Sequence, residues 1–212
     1  MSEIVLVLKM LNHIVEKARD REIFCREDTA TEKRVLASFL YHAGLSYRKI
    51  ERFVERSHVA VHDWYHRLSH LFEVERSNRN TVVVDETKLE VDGEEVYVWA
   101  GIDVETFEVI HVDVSRGRSS LDAFLFLRKL LKRCRGKPLI KVDRGPWYDW
   151  ALETLGCDYE KETFGERSLV EAWFGLVKYR TMLFWHRFPY HSTVRSTQRW
   201  IKSFATLHNS ML

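Results

Sequence analysis

The hydrophobic pattern changes its period once along the chain, near residue 80. Before that point, apolar residues recur at helical spacing in residues 3–19 and 32–42, as is typical of amphipathic helices. Two shorter helical segments follow within residues 45–72, and Ser46 and Ser57 are each positioned to cap one of them. This pair predicts a helix-turn-helix whose second helix presents polar residues on its free face. A helical hairpin used only for packing or dimerisation is the alternative.

Beyond residue 80, apolar and polar residues alternate, which predicts strands. Three strands joined by two hairpins cover residues 81–115, with the pair Asp92-Gly93 at the first turn. Helical patterns then cover residues 120–134, 147–156, 168–185 and about 194–207, with a buried strand at 139–143 and a short edge strand at 158–164. Hairpins followed by crossovers predict an α/β fold with a mixed sheet, in which three antiparallel strands precede parallel ones and helices flank both faces.

Composition indicates a soluble globular protein of two domains. The 212 residues are 45% hydrophobic and 30% charged, and three prolines and nine glycines leave no long flexible linker. We predict an all-α region over residues 1–76, with the helix-turn-helix at about 45–70, and an α/β domain over residues 77–212. Three cysteines without metal-ligand spacing indicate a reducing compartment. No apolar stretch approaches the length of a membrane span, so we expect a cytoplasmic protein without a membrane partner.

Charge is distributed unevenly, although the net charge is only +2. Residues 81–108 carry nine acidic side chains and one basic one, whereas residues 172–212 carry six basic side chains and no acidic one. An acidic segment together with a basic one fits a cation site beside a surface that binds a polyanion. Chance clustering of solvated side chains is the alternative.

Three acidic residues stand at the ends or on the faces of predicted elements. Asp85 closes the apolar run VVVDET, Asp143 closes PLIKVDRG, and Glu171 lies on the helical pattern SLVEAWFGLVKYR. A carboxylate at the end of a buried strand is costly unless something pairs with it. Brought together, the three would bind hard divalent cations such as Mg²⁺ or Mn²⁺, and a pair of such ions can drive displacement at phosphorus. Asp103 also ends a strand, but we interpret it as a turn residue.

Basic residues and histidines accompany these acids. Lys178 lies two helical turns after Glu171 on the same face, so it could hold a phosphate; a solvated helix face is the alternative. The remaining candidates for contacts with DNA are His58, His62, Arg67, Arg144 and Arg180. The four-residue spacing of the histidines from 58 to 70 also permits zinc binding, but no cysteine or carboxylate at ligand spacing accompanies them.

The motifs together resemble a known family. The segments VVVDETKLEVDGEEVYVWAGIDVETFEVIHVDVS, KVDRGPWYDWALETLG and LVEAWFGLVKYR are similar to the catalytic core of DDE-type insertion-sequence transposases, of the insertion-sequence-six and IS240-like kind. The resemblance covers about residues 28–205. It departs from the family in a short loop around residues 163–167. It departs also in the polar residue, often asparagine, that commonly precedes the glutamate, which is here replaced by Ser168 or lost.

This resemblance implies a ribonuclease-H-like catalytic domain and an N-terminal helix-turn-helix that recognises terminal inverted repeats. It implies metal-dependent cleavage and transfer of DNA strands, with Asp85, Asp143 and Glu171 as the metal-binding triad for Mg²⁺ or Mn²⁺, as two ions. It further implies a homodimer or higher oligomer on DNA, associated with the nucleoid. Two alternatives stay open: a transposon-derived DNA-binding protein that does no chemistry, and a nuclease of the same fold.

Overall fold

A computed structural model describes residues 3–25, 28–163, 165–182, 187–188 and 191–212. Contacts divide the chain into two compact units. One contains the residues up to Glu73 together with Arg199–Met211, and the other contains Val74–Gln198. The two-domain boundary at residues 76 and 77 stays a prediction.

Eight α-helices, one 3₁₀ helix (Leu68–Leu71) and eight strands lie within these described ranges. The helices are α1 (Glu3–Asp20), α2 (Thr31–His42), α3 (Tyr47–Val54), α4 (His58–Arg67), α5 (Ser120–Leu131), α6 (Trp147–Leu155), α7 (Ser168–Met182) and α8 (Val194–Asn209). The strands are β1 (Ser77–Asn78), β2 (Thr81–Val91), β3 (Glu94–Asp103), β4 (Val109–Ser115), β5 (Cys134–Arg135), β6 (Leu139–Val142), β7 (Tyr159–Lys161) and β8 (Arg187–Phe188). None of the described helices combines the length and the apolarity needed to cross a lipid bilayer.

In the helical unit, α3 and α4 begin at the serine caps that the sequence predicts. The Ser46 and Ser57 hydroxyls accept hydrogen bonds from the backbone N–H groups of Lys49 and Ala60, so each serine caps its helix. Glu55 adopts a left-handed conformation, with φ of 52°, and thereby ends α3. The two short helices are therefore present, whereas their use as a DNA-reading helix-turn-helix stays a prediction.

The main sheet is mixed, as predicted. Its order is β4-β3-β2-β6-β7, and β8 pairs with the far end of β2. Strands β2, β3 and β4 are antiparallel neighbours, whereas β6 runs parallel to β2 and β7 parallel to β6. At the β2–β3 turn, Asp92 and Gly93 both have positive φ, of 52° and 81°, which favours the right-handed twist of a two-residue hairpin.

The sequence prediction differs from the structure at a few element ends. Strand β4 starts at Val109 rather than at residue 107, because Phe107 has a φ of 61° and closes the turn. Helix α5 ends at Leu131, and Cys134 instead pairs with Ser77 in a small parallel sheet of β1 and β5. The predicted end of α7 at residue 185 lies outside the described residues.

Helices cover the sheet around the ends of β2 and β6. On one face, the Trp99 ring of β3 packs against Phe126 of α5 and Tyr148 of α6. Gly101 lets α5 come close, because a Cβ there would lie 1.9 Å from a Leu130 side-chain carbon. Helix α7 packs against β2 and β3. The core therefore fixes three elements, α6, α7 and β6, around one end of the central strand.

Candidate metal centre

The site forms where the central strand β2 continues beyond the end of its parallel neighbour, β6. Strand β6 pairs with β2 only from Thr81 to Val83, whereas β2 continues along β3, where Asp85 lies opposite Ala100. Asp143 follows the last residue of β6 directly. Beyond Val83 one edge of β2 is thus free of β6, and carboxylates can meet there.

Three acidic side chains do meet at this edge. Asp85, Glu86 and Asp143 each offer a carboxylate oxygen, and these oxygens all lie within 4.8 Å of one another. Consecutive residues of a strand point to opposite faces, so Asp85 and Glu86 approach from the two sides of the sheet. Asp143, at the end of β6, lies where the two can converge. Hard oxygen donors so close together suit a divalent cation.

Burial makes this cluster electrostatically costly. The Asp85 residue is 8% exposed, and burial raises the pKa of its carboxyl group, an effect that the Arg167 guanidinium opposes. Burial likewise raises the pKa of Glu86, whose carboxylate accepts a 2.5 Å hydrogen bond from the Tyr148 hydroxyl. Burial and the adjacent Glu86 in turn raise the pKa of Tyr148 well above its ordinary value, so this phenol stays a donor.

Arg167 connects Glu171 to the cluster. Its Nη2 atom lies 2.9 Å from Asp85 Oδ2 and 3.2 Å from Glu171 Oε1. Arg167 precedes α7 directly, and its carbonyl accepts the backbone hydrogen bond of Glu171, so the two residues lie one turn apart on one face. The Glu171 side chain itself is 54% exposed. Asp85 and Asp143 are therefore in one cluster, and Glu171 is linked to Asp85 by the Arg167 guanidinium, which contacts both carboxylates.

The loop after Asp143 is shaped to hold that carboxylate. Asp143 Oδ1 accepts a 2.8 Å hydrogen bond from the Gly145 backbone N–H. A Cβ at Gly145 would lie 2.4 Å from the Trp147 ring and 2.8 Å from Asp143 Oδ1, so the close approach requires glycine. Arg118 stacks over the Trp147 ring, with 4.0 Å from Cζ to the ring centroid, and its Nη1 lies 3.3 Å from Glu86 Oε1.

The basic residues predicted to contact DNA from the sheet unit differ in exposure. Lys178 and Arg144 are exposed, and neither forms an ion pair with an acid in the described ranges. Arg180 is only 3% exposed, because it falls on the inward stripe of α7 with Trp173 and Val177. A DNA phosphate cannot reach a side chain so placed, and we leave Arg180 out of the DNA surface proposed below.

Among the residues predicted to contact DNA from the helical unit, two already have protein partners. His58 Nδ1 lies 3.1 Å from a Glu51 carboxylate oxygen. Arg67 donates to Asp63, at 2.6 Å, and to the carbonyl oxygen of Ile23, at 3.2 Å. Their roles in DNA binding stay predictions.

The histidines of α4 differ in their surroundings. His62 is exposed, whereas His66, which we expected on the same free face, is 6% exposed because it lies on the buried side of the helix. Burial, reinforced by His62 and Arg199, lowers the pKa of His66 to about 3. The two rings lie 4.2 Å apart between centroids, but no third residue of the described ranges completes a set of metal ligands with them.

Sequence reasoning missed two residues of the site, Glu86 and Arg167. Glu86 was not among the residues considered from the sequence, and strand alternation places it on the face opposite Asp85, although both carboxylates reach Asp143 at the open strand edge. Arg167 had a usable signal, since it precedes Glu171 by four residues at the start of a helical pattern.

Known proteins are similar to this chain in sequence. The family model described as a DDE domain, of the IS240 transposase type, matches residues 79–209. The uncharacterized protein MJ0017 of Methanocaldococcus jannaschii is 42% identical over 201 residues, which cover 92% of this chain and 94% of that protein.

Two solved structures are similar to part of this chain. One is the simian T-cell lymphotropic virus intasome in complex with PP2A regulatory subunit B56 gamma, at 17% identity and a TM-score of 0.45 over 60% of this chain and 49% of that one. Another is the HTLV-2 integrase catalytic core domain in complex with magnesium (trimeric form), at 15% identity and a TM-score of 0.44 over 61% of this chain and 85% of that one.

The family match spans more than half of the chain and includes the strand ends and the helix that carry Asp85, Asp143 and Glu171. A mixed sheet with an acidic cluster where its central strand loses its parallel neighbour agrees with that match. The protein therefore belongs to the DDE-domain family of IS240-type transposases.

Proposed function

We propose that this protein is a transposase that cleaves and joins DNA at the ends of an insertion sequence. Its metal ligands would be Asp85, Asp143 and Glu171. The observation that carries the proposal is the convergence of Asp85 and Asp143 in one carboxylate cluster, in a chain of the DDE-domain family. The position of Glu171 supports the proposal, because its carboxylate and that of Asp85 contact the same Arg167 guanidinium.

The residues present fit a divalent metal ion by the chemistry of their donors. The cluster supplies carboxylate oxygens only, which Mg²⁺ and Mn²⁺ prefer. A guanidinium group already lies between Asp85 and Glu171, so this locus accepts positive charge. When bound, such ions activate an oxygen nucleophile and stabilise the leaving oxygen in an in-line displacement at phosphorus. The identity and the number of the ions belong to the proposal.

The chain's own side chains would hold and orient the reacting strand. The Tyr148 hydroxyl fixes the Glu86 carboxylate, and the Gly145 N–H fixes that of Asp143, so neither rotates freely. Lys178 and Arg144 are exposed cations without acidic partners in the described ranges, and each can donate to a phosphate.

DNA ends and a second subunit complete the proposal. We infer that α3 and α4 form the helix-turn-helix that recognises terminal inverted repeats, with exposed His62 on α4 among its contacts. Cutting two ends of one element in a coordinated manner requires paired active sites, so we expect a homodimer or a higher homo-oligomer on DNA.

The test is cleavage of a supercoiled plasmid that carries the two sequences flanking the reading frame, in Mn²⁺ or Mg²⁺. Wild-type protein should cut at the element boundaries, and a plasmid with scrambled ends should stay intact. We expect Asp85→Asn, Asp143→Asn and Glu171→Gln each to lower the cleavage rate by about 100-fold or more, because even outer partners of metal ligands are worth about 10–100-fold.

The matched control is Asp158→Asn, which neutralises an exposed acid after α6 and should cleave at the wild-type rate. All triad variants should still bind the ends. Normal cleavage by Glu171→Gln would remove Glu171 from the metal ligands. Cutting that ignores the ends would favour the nuclease alternative.

One observation favours a second candidate function. Arg167 neutralises Asp85 and Glu171, as expected if the site has lost its metal and the chain only binds DNA. A protein of that kind would shift end-bearing DNA without cutting it in any divalent cation.

A further inference from the structure

The positive charge between Asp85 and Glu171 belongs to a side chain of the protein, the Arg167 guanidinium. The Arg167 side chain is 10% exposed, and its Nη2 atom contacts both carboxylates. Asp143 adds electrostatic attraction to the same guanidinium. Arg167 therefore lies at the acidic edge where the proposed metal ligands meet.

This guanidinium is only partly satisfied by hydrogen bonds. Its Nη1 donates to the Glu162 carbonyl at 3.2 Å, while its buried Nε has no hydrogen-bond partner among the described residues. A buried donor without a partner costs free energy. One carbonyl and two carboxylates contact the group in the described structure, and Asp143 attracts it from nearby. All three carboxylates are proposed metal ligands.

The segment that carries Arg167 is anchored independently of the metal ligands. Lys141 of β6 lies within ion-pair distance of three acids around this segment, Glu160, Glu162 and Glu166, the last at 2.9 Å. The carbonyl oxygen of Arg167 accepts a hydrogen bond from the Glu171 backbone N–H, which closes the first turn of α7. The backbone therefore stays in position while the long side chain is free to exchange its partners.

We propose that Arg167 is a positioning residue, which holds Asp85 and Glu171 together before the metal ion binds. When the divalent cation binds, it displaces the Arg167 side chain from these carboxylates. Two cations cannot share the same carboxylate oxygens, because the guanidinium charge at ion-pair distance repels an arriving divalent ion. The inference rests on the proposed function, since it concerns the same ligands. It predicts that the side chain of Arg167 weakens metal binding while it stabilises the metal-free protein.

The test is a titration with Mn²⁺ at pH 7.5, in which electron paramagnetic resonance measures the free ion, on full-length wild type, Arg167→Met and Arg167→Lys. Met keeps much of the side-chain volume without the charge, and we expect about tenfold tighter Mn²⁺ binding. Lys keeps the charge but not the fork that reaches both carboxylates, so its affinity should lie between the two. Thermal unfolding should show Arg167→Met less stable than wild type without metal, and more strongly stabilised by added Mn²⁺.

The control variant is Lys129→Met, which removes one positive charge and the ion pair with Asp113 on β4, two strands away from β2. It should bind Mn²⁺ as wild type does, which separates a local exchange from a change in net charge.

The outcomes separate the inference from the proposed function. Equal Mn²⁺ affinity of wild type, Arg167→Met and Arg167→Lys would overturn the inference and leave the metal site standing. Weaker binding by folded Arg167→Met would also overturn it, because Arg167 would then support the bound state. Absence of Mn²⁺ binding in all the variants would overturn the proposed function itself. If Arg167→Met does not fold, Arg167→Lys decides, since unchanged affinity there contradicts the exchange.

Discussion

At the scale of single residues, a buried ion pair fixes the turn between β3 and β4. Arg79 Nη1 lies 2.6 Å from Asp103 Oδ2, and the two side chains are 2% and 3% exposed. Asp103 also accepts backbone hydrogen bonds from Glu105 and Thr106. These contacts agree with the interpretation of Asp103 as a turn residue rather than a fourth metal ligand.

This pair yields a prediction about stability. Arg79→Met leaves the Asp103 carboxylate buried without its charge partner, so the free energy of unfolding should fall by about 3–5 kcal/mol. Urea denaturation followed by circular dichroism measures the change. The control Lys88→Met removes an exposed pair with Glu95 and should leave the midpoint nearly unchanged. A loss no larger in Arg79→Met than in the control would contradict this account.

Residues of the site were predictable from sequence to different degrees. Asp85 and Asp143 are evident because each closes an apolar run, and a carboxylate beside buried residues is costly unless something pairs with it. Glu86 was not predictable from alternation, which places it on the face opposite Asp85. Alternation does not show that both carboxylates can reach Asp143 where β2 is no longer paired with β6. The pairing of Arg167 with Glu171 was predictable from their four-residue spacing, whereas the contact of the same guanidinium with Asp85, 82 residues earlier, was not.

At the scale of elements, α7 joins the chemistry to the core. Its buried stripe includes Val170, Trp173, Phe174, Val177 and Arg180, at the spacing of one helical face. Glu171 and Lys178 fall on the opposite, exposed face. The helix was predictable from its apolar spacing, but the inward direction of Arg180 was not, since an arginine at that position is usually assigned to solvent.

Helix α7 gives a prediction about DNA affinity. Lys178→Ala should weaken binding to duplex DNA of any sequence, and the slope of log affinity against log salt concentration should decrease by about 0.9, as for one lost phosphate contact. Fluorescence anisotropy with a labelled duplex across a salt series measures both values. Lys132→Ala, which removes an exposed charge after α5, is the control and should keep the wild-type slope. An unchanged slope for Lys178→Ala would exclude this phosphate contact.

At the scale of the whole molecule, the strand order explains why the site forms where it does. The hairpins β2–β3–β4 and the parallel additions β6 and β7 leave β2 in the centre, with a longer ladder on one side than on the other. The sequence predicted this mixed sheet from its hairpin and crossover pattern. The short β6 was predicted as well, at 139–143, and it ends at Val142. What the sequence did not give is the register of β6 on β2, which ends their pairing at Val83.

The central claim is that Asp85, Asp143 and Glu171 bind a divalent cation. Its most direct test is a crystal of the full chain soaked in Mn²⁺ and measured for anomalous scattering. We predict an anomalous peak at coordination distance from Asp85 and Asp143, with Arg167 turned away and Glu171 drawn toward the ion. A crystal at saturating Mn²⁺ that shows no peak there, with Arg167 still bound to Asp85 and Glu171, would contradict the account.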